Sequence, residues 1–437
     1  MKTDANEPAA RLRWLVLTGL TYGLILLGLI TFRGEVLALA FPLALYWLAG
    51  LAAGVGSPRL TVTRRLSTDQ VVCGAPVTVH LTLTNEGERL EQVEIEDILP
   101  PRAEVTDGET RRLVASLARG ASAEMEYTVR TRHGLYLFEM VKVTVSDQLG
   151  WSPRALTLSA KAELTARPSV LRLPRLALRP RHTGVYAGLI PTRQGGAGLA
   201  FFGVREYQPG DALRHINWHA SARHAQALFS NEFQPERATD IGLILDVRQR
   251  SHALVGADEF FEHCVTTLAS LAQSFLADGH RVGVMLYGRF LLDWTFPGYG
   301  RPQRERILQA LARAQVGAQH AFDQLEYLPT RFFTPGSQIV LVSPLLKEDA
   351  PVLVQLRARG YAVLVVSPDP VSFEAGQLNQ ADDAVRLALR IARVERRLLL
   401  EQLQQSGVRV LEWDVATPFD QAMRGFARSS GQWLYPG

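Results

Sequence analysis

The sequence predicts an α/β domain with a doubly wound, mostly parallel sheet, preceded by a transmembrane helical hairpin and a small β-sandwich. Three observations carry that expectation. Beyond Thr239 the short apolar runs IGLILD, VGVMLY, QIVLVS, AVLVVS and VRVLEWD alternate with helical patterns, as strands buried on both faces of a parallel sheet do. Between Leu60 and Leu164 apolar and polar residues alternate, as in VTVHLTLTN, with Gly, Asn, Asp and Pro between the runs, the pattern of half-buried antiparallel strands. Near the N-terminus two uncharged apolar runs, from Trp14 to Phe32 and from Val36 to Val55, each have about the length that spans a bilayer.

Taken in order, residues 1–57 form an N-terminal tail and the two-helix hairpin, closed by Arg33-Gly34-Glu35. Lys2, Arg11 and Arg13 precede the pair and Arg59, Arg64 and Arg65 follow it, so the positive-inside bias places both ends, and all that follows Ser57, on the cytoplasmic side of the inner membrane. A buried soluble helix pair is one alternative. A signal peptide cleaved after Ala38-Leu39-Ala40 is another, opposed by the immediate second span and by the lack of a polar region before that site. Residues 58–166 are the sandwich, of immunoglobulin-like pattern. They hold no cluster of His, Cys or carboxylates at ligand or triad spacing, so spacing or binding is the role expected.

Residues 167–238 combine a basic, Gly-containing linker with a polar segment. Arg172, Arg175, Arg179 and Arg181 suit a solvated connection, or contact with anionic lipid or an acidic partner. Gly195, Gly196 and Gly198 lack the following Lys-Ser/Thr pair of a phosphate cradle. Residues 239–437 are the α/β domain. A helix from Asp258 to Asp278 buries Phe260, Cys264, Leu268, Leu271 and Phe275, and RFLLDWTF adds an antiparallel edge strand. In a helix from Asp382 to Gln405, Leu387, Ile391, Val394 and Leu398 make the core face. Arg386, Arg390, Arg393 and Arg397 make a solvated face, with Arg397 and Glu401 paired at i,i+4, or a docking surface for an acidic partner. A net charge of +4 over 437 residues gives no electrostatic case for nucleic acid, and the Arg-rich linker lacks interleaved aromatics. Cys73 and Cys264, far apart and without CxxC spacing, read as free thiols.

Two stretches carry chemistry-bearing residues. The first is GVREYQPGDALRHINWHASARH, Gly203 to His224, which gathers Arg205, Glu206, Tyr207, Asp211, Arg214, Trp218, Ser221 and Arg223 around a Pro209-Gly210 turn. Asp211 is placed to cap a short helix through Trp218. One reading is structural and recognitive: Arg-carboxylate pairs and a Trp anchor hold the segment, and its surface meets a partner. The other is a hydrolase of phosphate esters, with Glu206, Asp211 and His215 or His219 as acid-base groups and Arg214 or Arg223 on the anion. No nucleophile or metal set accompanies those residues, so the first reading is preferred and no catalytic residue is assigned. The second stretch is the end of the first α/β strand, Asp246-Val247-Arg248-Gln249-Arg250, at the sheet edge where open α/β folds bind ligands.

The strand and helix order of this domain resembles von Willebrand factor A-like domains, where such an Asp opens an Asp-x-Ser-x-Ser metal site. Here Arg248 and Arg250 stand at the hydroxyl positions, and a later strand ends in Ser343-Pro344 where that family usually has Asp. Cations there oppose a divalent ion. The expectation is a degenerate site without metal or cofactor, with Asp246 paired to a nearby Arg. FFGVREYQPGDALRHINWHASAR, from Arg205 through Ile216 and Ala222 to Arg223, together with HGLYLFEMVKVTVSDQLGW, resembles the signature of the domain-of-unknown-function family numbered fifty-eight. That resemblance implies a von Willebrand A-like domain behind two membrane spans and a β-rich segment. It also implies association with a MoxR-type AAA ATPase. The function it points to is a membrane-anchored, non-enzymatic adaptor or scaffold in the assembly or maturation of other proteins.

Overall fold

The computed structural model describes residues 6–32, 34–52, 58–146, 153–174, 196–208, 211, 213–223, 227–233, 240–288, 294–317, 325, 328, 332–334, 336–378 and 382–429. The chain divides into two compact units, 1–166 and 167–437.

In the first unit the apolar runs form α1 (Asn6–Thr31) and α2 (Gly34–Ala52), which lie against each other. Among the described residues no helix is long and apolar enough to cross a membrane. The transmembrane hairpin in the expected fold is thereby corrected to a helical hairpin. Features of the chain agree with this. Thr18, Gly19, Thr21, Gly23 and Gly28 lower the apolarity of α1, while α2 carries Glu35 in its first turn and Pro42 in its interior. Moreover Arg64, counted above as a positive flank of the spans, is a core residue of the sandwich.

That sandwich consists of β1 (Leu60–Leu66), β2 (Gln70–Val72), β3 (Pro76–Asn85), β4 (Gln92–Asp97), β5 (Ala103–Gly108), β6 (Arg111–Val114), β7 (Ser122–Thr131), β8 (Gly134–Ser146) and β9 (Arg154–Arg167). They make two antiparallel sheets, ordered β1-β3-β7-β5 and β2-β9-β8-β4-β6. Alternation does the sorting: Val77, Val79, Leu81 and Leu83 of β3 turn inward and share one core with Val93, Ile95, Val141, Val143 and Leu164 of the other sheet. Inside that core the Arg64 guanidinium forks onto the Asp97 carboxylate, with Nε donating to Oδ2 at 3.2 Å, and lies 5.2 Å from the centre of the Phe138 ring. Tyr127 donates its hydroxyl to Asp97 Oδ2 at 2.6 Å. Burial, then the Asp97 charge, pushes the Tyr127 phenol well above its ordinary value.

The second unit begins by docking. Val170 and Leu173 pack on its core, and the Leu171 N–H donates to Ser270 Oγ at 2.9 Å. Of the linker expected here, Arg175, Arg179, Arg181 and Gly195 lie outside the described residues, whereas Gly196 and Gly198 fall within a strand, β10 (Gly196–Glu206). This strand pairs antiparallel with β11 (Phe229–Phe233), and a 3-10 turn (Leu213–His215) and α3 (Trp218–Ser221) lie between them in the chain. The main body follows: β12 (Asp240–Asp246), α4 (Ala257–Ala277), β13 (Arg281–Tyr287), β14 (Trp294–Gly298), α5 (Gly300–Ala312), β15 (Gln338–Val342), α6 (Asp349–Ala358), β16 (Ala362–Pro368), α7 (Pro370–Gln377), α8 (Asp383–Gln405), β17 (Arg409–Trp413) and α9 (Phe419–Ser429).

Its sheet runs β14-β13-β12-β15-β16-β17, parallel except for the edge strand β14. Each central strand is apolar on both faces, and two cores result. Leu243, Leu245 and Val340 meet Phe260, Leu268 and Phe275 of α4 on one face, while Ile244, Ile339 and Leu341 meet Leu353 of α6 and Leu400 and Leu403 of α8 on the other. After β12 the chain builds outward through β13 and β14 and then returns to β15 on the other side of β12. The strand order therefore reverses between the carboxyl ends of β12 and β15, where open α/β sheets leave a crevice.

Candidate functional site

At that crevice stands Arg248. It is 1% exposed, and its side chain lies between two carboxylates. Nε donates to Asp246 Oδ1 at 2.9 Å and Nη2 to Oδ2 at 2.8 Å; Nη1 and Nη2 donate to Asp349 Oδ1 and Oδ2 at 2.8 and 2.7 Å. Both forks are bidentate, the strongest geometry available to an Arg-carboxylate pair. Asp246 also accepts the Arg248 N–H at 3.0 Å and the Ser343 hydroxyl at 2.6 Å. Burial alone would raise the Asp246 carboxyl, but the charge and hydrogen bonds of Arg248, with smaller help from His252 and Ser343, hold it below the ordinary carboxylate range. Arg248 is likewise desolvated, and its two carboxylates more than compensate and raise it.

Backbone features build this arrangement. Gly288, just past β13, has φ +118, and a Cβ there would meet the Arg248 backbone nitrogen at 2.5 Å, so only glycine lets the two loops touch. The Val247 N–H donates to Tyr287 O at 2.7 Å, and the Gly317 N–H to Val247 O at 2.9 Å. Across the crevice Leu345 adopts φ +67, a conformation that costs a non-glycine residue roughly 1–2 kcal/mol. That turn lets the Leu346 N–H reach Asp349 Oδ2 at 2.8 Å. His252 sits behind, its Nδ1 at 3.1 Å from Arg248 O and its ring edge-on to Phe261. Burial, against the pull of Asp246, lowers its pKa. Arg250 behaves differently from Arg248: it is solvent-exposed and pairs with Glu348 at 3.1 Å. One guanidinium, not two, enters the position between the carboxylates.

A second buried arginine closes the rest of the edge. Arg396 of α8 donates from Nη1 to Pro344 O at 2.9 Å and from Nη2 to Ser367 Oγ at 3.0 Å and Pro368 O at 3.2 Å. Its Nε lies 3.1 Å from Asp369 Oδ1 and 3.2 Å from Glu412 Oε1. The carboxyl ends of β15 and β16 are thus tied to α8. Sequence reasoning missed Asp349, Ser343 and Arg396 as partners. Arg396 left one trace, a charged residue two turns beyond Leu389 on the helix face that packs inward.

The signature segment forms a clamp around β10 and β11. Arg205 forks onto Asp211, Nη1 to Oδ2 at 2.8 Å and Nη2 to Oδ1 at 2.7 Å, and Asp211 Oδ2 also accepts the Gln208 N–H at 3.0 Å. Asp211 therefore ties down a turn and does not cap a helix. The Arg205 hydrogen bond, then the Gln208 N–H, lowers its pKa. The cap of α3 is Asn217, whose Oδ1 accepts the Ala220 N–H at 2.9 Å while its Nδ2 donates to Asn231 Oδ1 at 2.7 Å. Ser221 accepts the Phe229 N–H at 2.9 Å and donates to Asn217 O. Ile216 is buried beneath the turn.

Trp218, expected as an inward anchor, is instead 67% exposed and Leu213 is 74% exposed. Glu206 and Arg223 are exposed and Tyr207 is half-buried. Pro209, Gly210 and the side chain of Arg214 lie outside the described residues. The segment thus joins an internally bonded frame of Arg205, Asp211, Asn217 and Ser221 to outward-facing Leu213, Trp218 and Arg223.

Comparison with known proteins places this half of the chain. The family described as "Protein of unknown function DUF58" matches residues 203–401, from the signature strand β10 into α8. "Uncharacterized protein YeaD" of Bacillus subtilis (strain 168) is 29% identical over 253 residues, which cover 57% of this chain and 60% of that protein. Among solved structures, the CARDB domain of the PF1109 protein from Pyrococcus furiosus is 17% identical with a TM-score of 0.18, covering 25% of this chain and 88% of that one. The FixG-related protein from Vibrio parahaemolyticus is 10% identical, also with a TM-score of 0.18, covering 26% and 98%. Likenesses of that size carry no argument about this chain. The sequence matches support the DUF58 family.

Proposed function

We propose that this chain is a non-enzymatic adaptor or scaffold that works with an AAA ATPase of MoxR type in the assembly or maturation of other proteins. The observation that carries the reading is Arg248, whose guanidinium is forked between Asp246 and Asp349 at the switch point of the sheet. A divalent ion at such a crevice would need carboxylate and hydroxyl oxygens around it and a position left open for a ligand. Here a cation fixed to the chain neutralises both carboxylates and presents no open coordination position. The domain is left to act through its surface, and the signature hairpin supplies one: exposed Trp218, Leu213 and Arg223 on a hydrogen-bonded frame. Trp and Arg are the residue types that dominate binding energy at protein interfaces.

Hydrolysis of phosphate esters by this segment is disfavoured by the same geometry. Asp211 is committed to Arg205 and to a backbone N–H, which leaves it a weak base. The test is affinity capture from a cell extract with the chain as bait, with and without ATP. Retention of an AAA ATPase that depends on nucleotide, and its loss in Trp218→Ala at unchanged thermal stability, is the expected result. Turnover of p-nitrophenyl phosphate that disappears in Glu206→Gln is the result that would overturn the reading.

A further inference from the structure

The apolar stripe of α8 does not face the core. Leu387, Ile391, Val394 and Leu398 are 60%, 52%, 50% and 60% exposed, whereas Leu389, Arg396, Leu399, Leu400 and Leu403 are the buried residues of the helix. At 100° per residue the four exposed side chains fall within about 60° of one another, on the side opposite the buried set. They form a seam about 16 Å long, at 1.5 Å per residue. Their spacing of four, three and four is that of a heptad seam, with β-branched Ile391 and Val394 at its centre. Arg386, Arg390, Arg393 and Arg397 run along one flank, all exposed. Arg386 pairs locally with Asp383; among the described residues no salt bridge holds Arg390, Arg393 or Arg397. The other flank carries Ala388 and Glu395, the latter paired with Lys347 at 2.9 Å.

We infer that this stripe is the docking surface for an acidic amphipathic helix of a partner protein, with the partner's apolar seam on Leu387, Ile391, Val394 and Leu398 and its carboxylates along the arginine row. The inference rests on the adaptor reading in taking the occupant to be a protein, and it adds a surface separate from the signature hairpin. Charge and shape choose the occupant. An antiparallel pair of two α8 helices would set the arginine rows against each other. A parallel pair would set the arginine row against Ala388 and Glu395, a flank with a single carboxylate that Lys347 also contacts. A lipid surface calls for a broad apolar face with aromatic anchors; this seam is one side chain wide, has no aromatic residue, and carries a carboxylate on one flank.

The experiment uses the whole 437-residue chain and a fluorescein-labelled three-heptad peptide, Leu at the seam positions and Glu on both flanks, with a control peptide carrying Lys in place of Glu. Anisotropy is expected to show saturable binding of the acidic peptide, weakened by salt, and none of the control. Arg390→Glu with Arg393→Glu should weaken it at least about tenfold. Ile391→Ser with Leu398→Ser should abolish it, and because these residues are exposed the unfolding midpoints should not move. Four results would overturn the inference: equal binding of both peptides, no binding, binding that survives the serine pair, or self-association or co-sedimentation with phosphatidylserine vesicles that takes the place of peptide binding. If the peptide fails to bind while nucleotide-dependent capture through Trp218 persists, the surface falls and the adaptor reading stands.

Discussion

Arg248 differs from a bound metal ion in that it cannot leave. Two buried carboxylates facing each other across the β12–β15 crevice would otherwise repel, and the guanidinium converts that repulsion into four charge-assisted hydrogen bonds. Removing it strands both charges, so Arg248→Met is expected to cost about 3–5 kcal/mol in urea denaturation, as a lower midpoint at unchanged slope. Adding Asp246→Asn and Asp349→Asn to the same chain should restore part of that loss, which a purely steric role for the arginine would not allow.

Acid should act on the same unit through its buried groups. His280 is buried and its pKa is lowered to about 4 by desolvation. Its folded value lies below the unfolded one, so the unfolded chain binds the extra proton, and stability present above about pH 6.5 is lost as pH falls towards 4, by up to about 3 kcal/mol. Asp246 adds to the loss at lower pH, since a carboxylate depressed in the folded state gives stability that disappears as it protonates. A urea midpoint that stayed flat between pH 7 and pH 4.5 would contradict this.

At the scale of elements, periodicity showed where helices and strands lie but not which side of a helix meets the core. In α4 the residues at four and three spacing, Phe260, Cys264, Leu268, Leu271 and Phe275, are all buried, because that helix has a single apolar face. In α8 the same spacing picked out Leu387, Ile391, Val394 and Leu398, which face outward. A second set, Leu389, Leu399, Leu400 and Leu403, lies opposite, and nothing in a period ranks one stripe above the other. The Arg396 side chain on the inward face hid that face, since its ligands at Pro344, Ser367 and Asp369 come from loops distant in the chain. In the signature segment Asp211 was the obvious cap by residue type, yet Asn217 does that work. Asn217→Ala should therefore destabilise the β10–β11 clamp by about 1 kcal/mol, seen as faster amide exchange at Ala220 and Phe229 with little change elsewhere.

At the scale of the whole chain, the two units were legible where side chains alternate with a clear period, as in β3 and β12. They were least legible where composition alone spoke. Uncharged runs suggested spans, but α1 and α2 are helices without the length and apolarity to cross a membrane among the described residues, and Arg64 belongs to a buried triad with Asp97 and Tyr127. The two carboxylates at the sheet edge were half visible: Asp246 by its place at a strand end, Asp349 not at all, because only the fold brings residues 101 apart onto one guanidinium.

With Arg248 between Asp246 and Asp349, the α/β domain carries its own cation where a divalent ion would otherwise sit. Calorimetric titration of Mg²⁺ and of Mn²⁺ into the whole chain tests this most directly. No saturable heat is expected at micromolar to millimolar ion. Saturable binding that Asp246→Asn removes would contradict that.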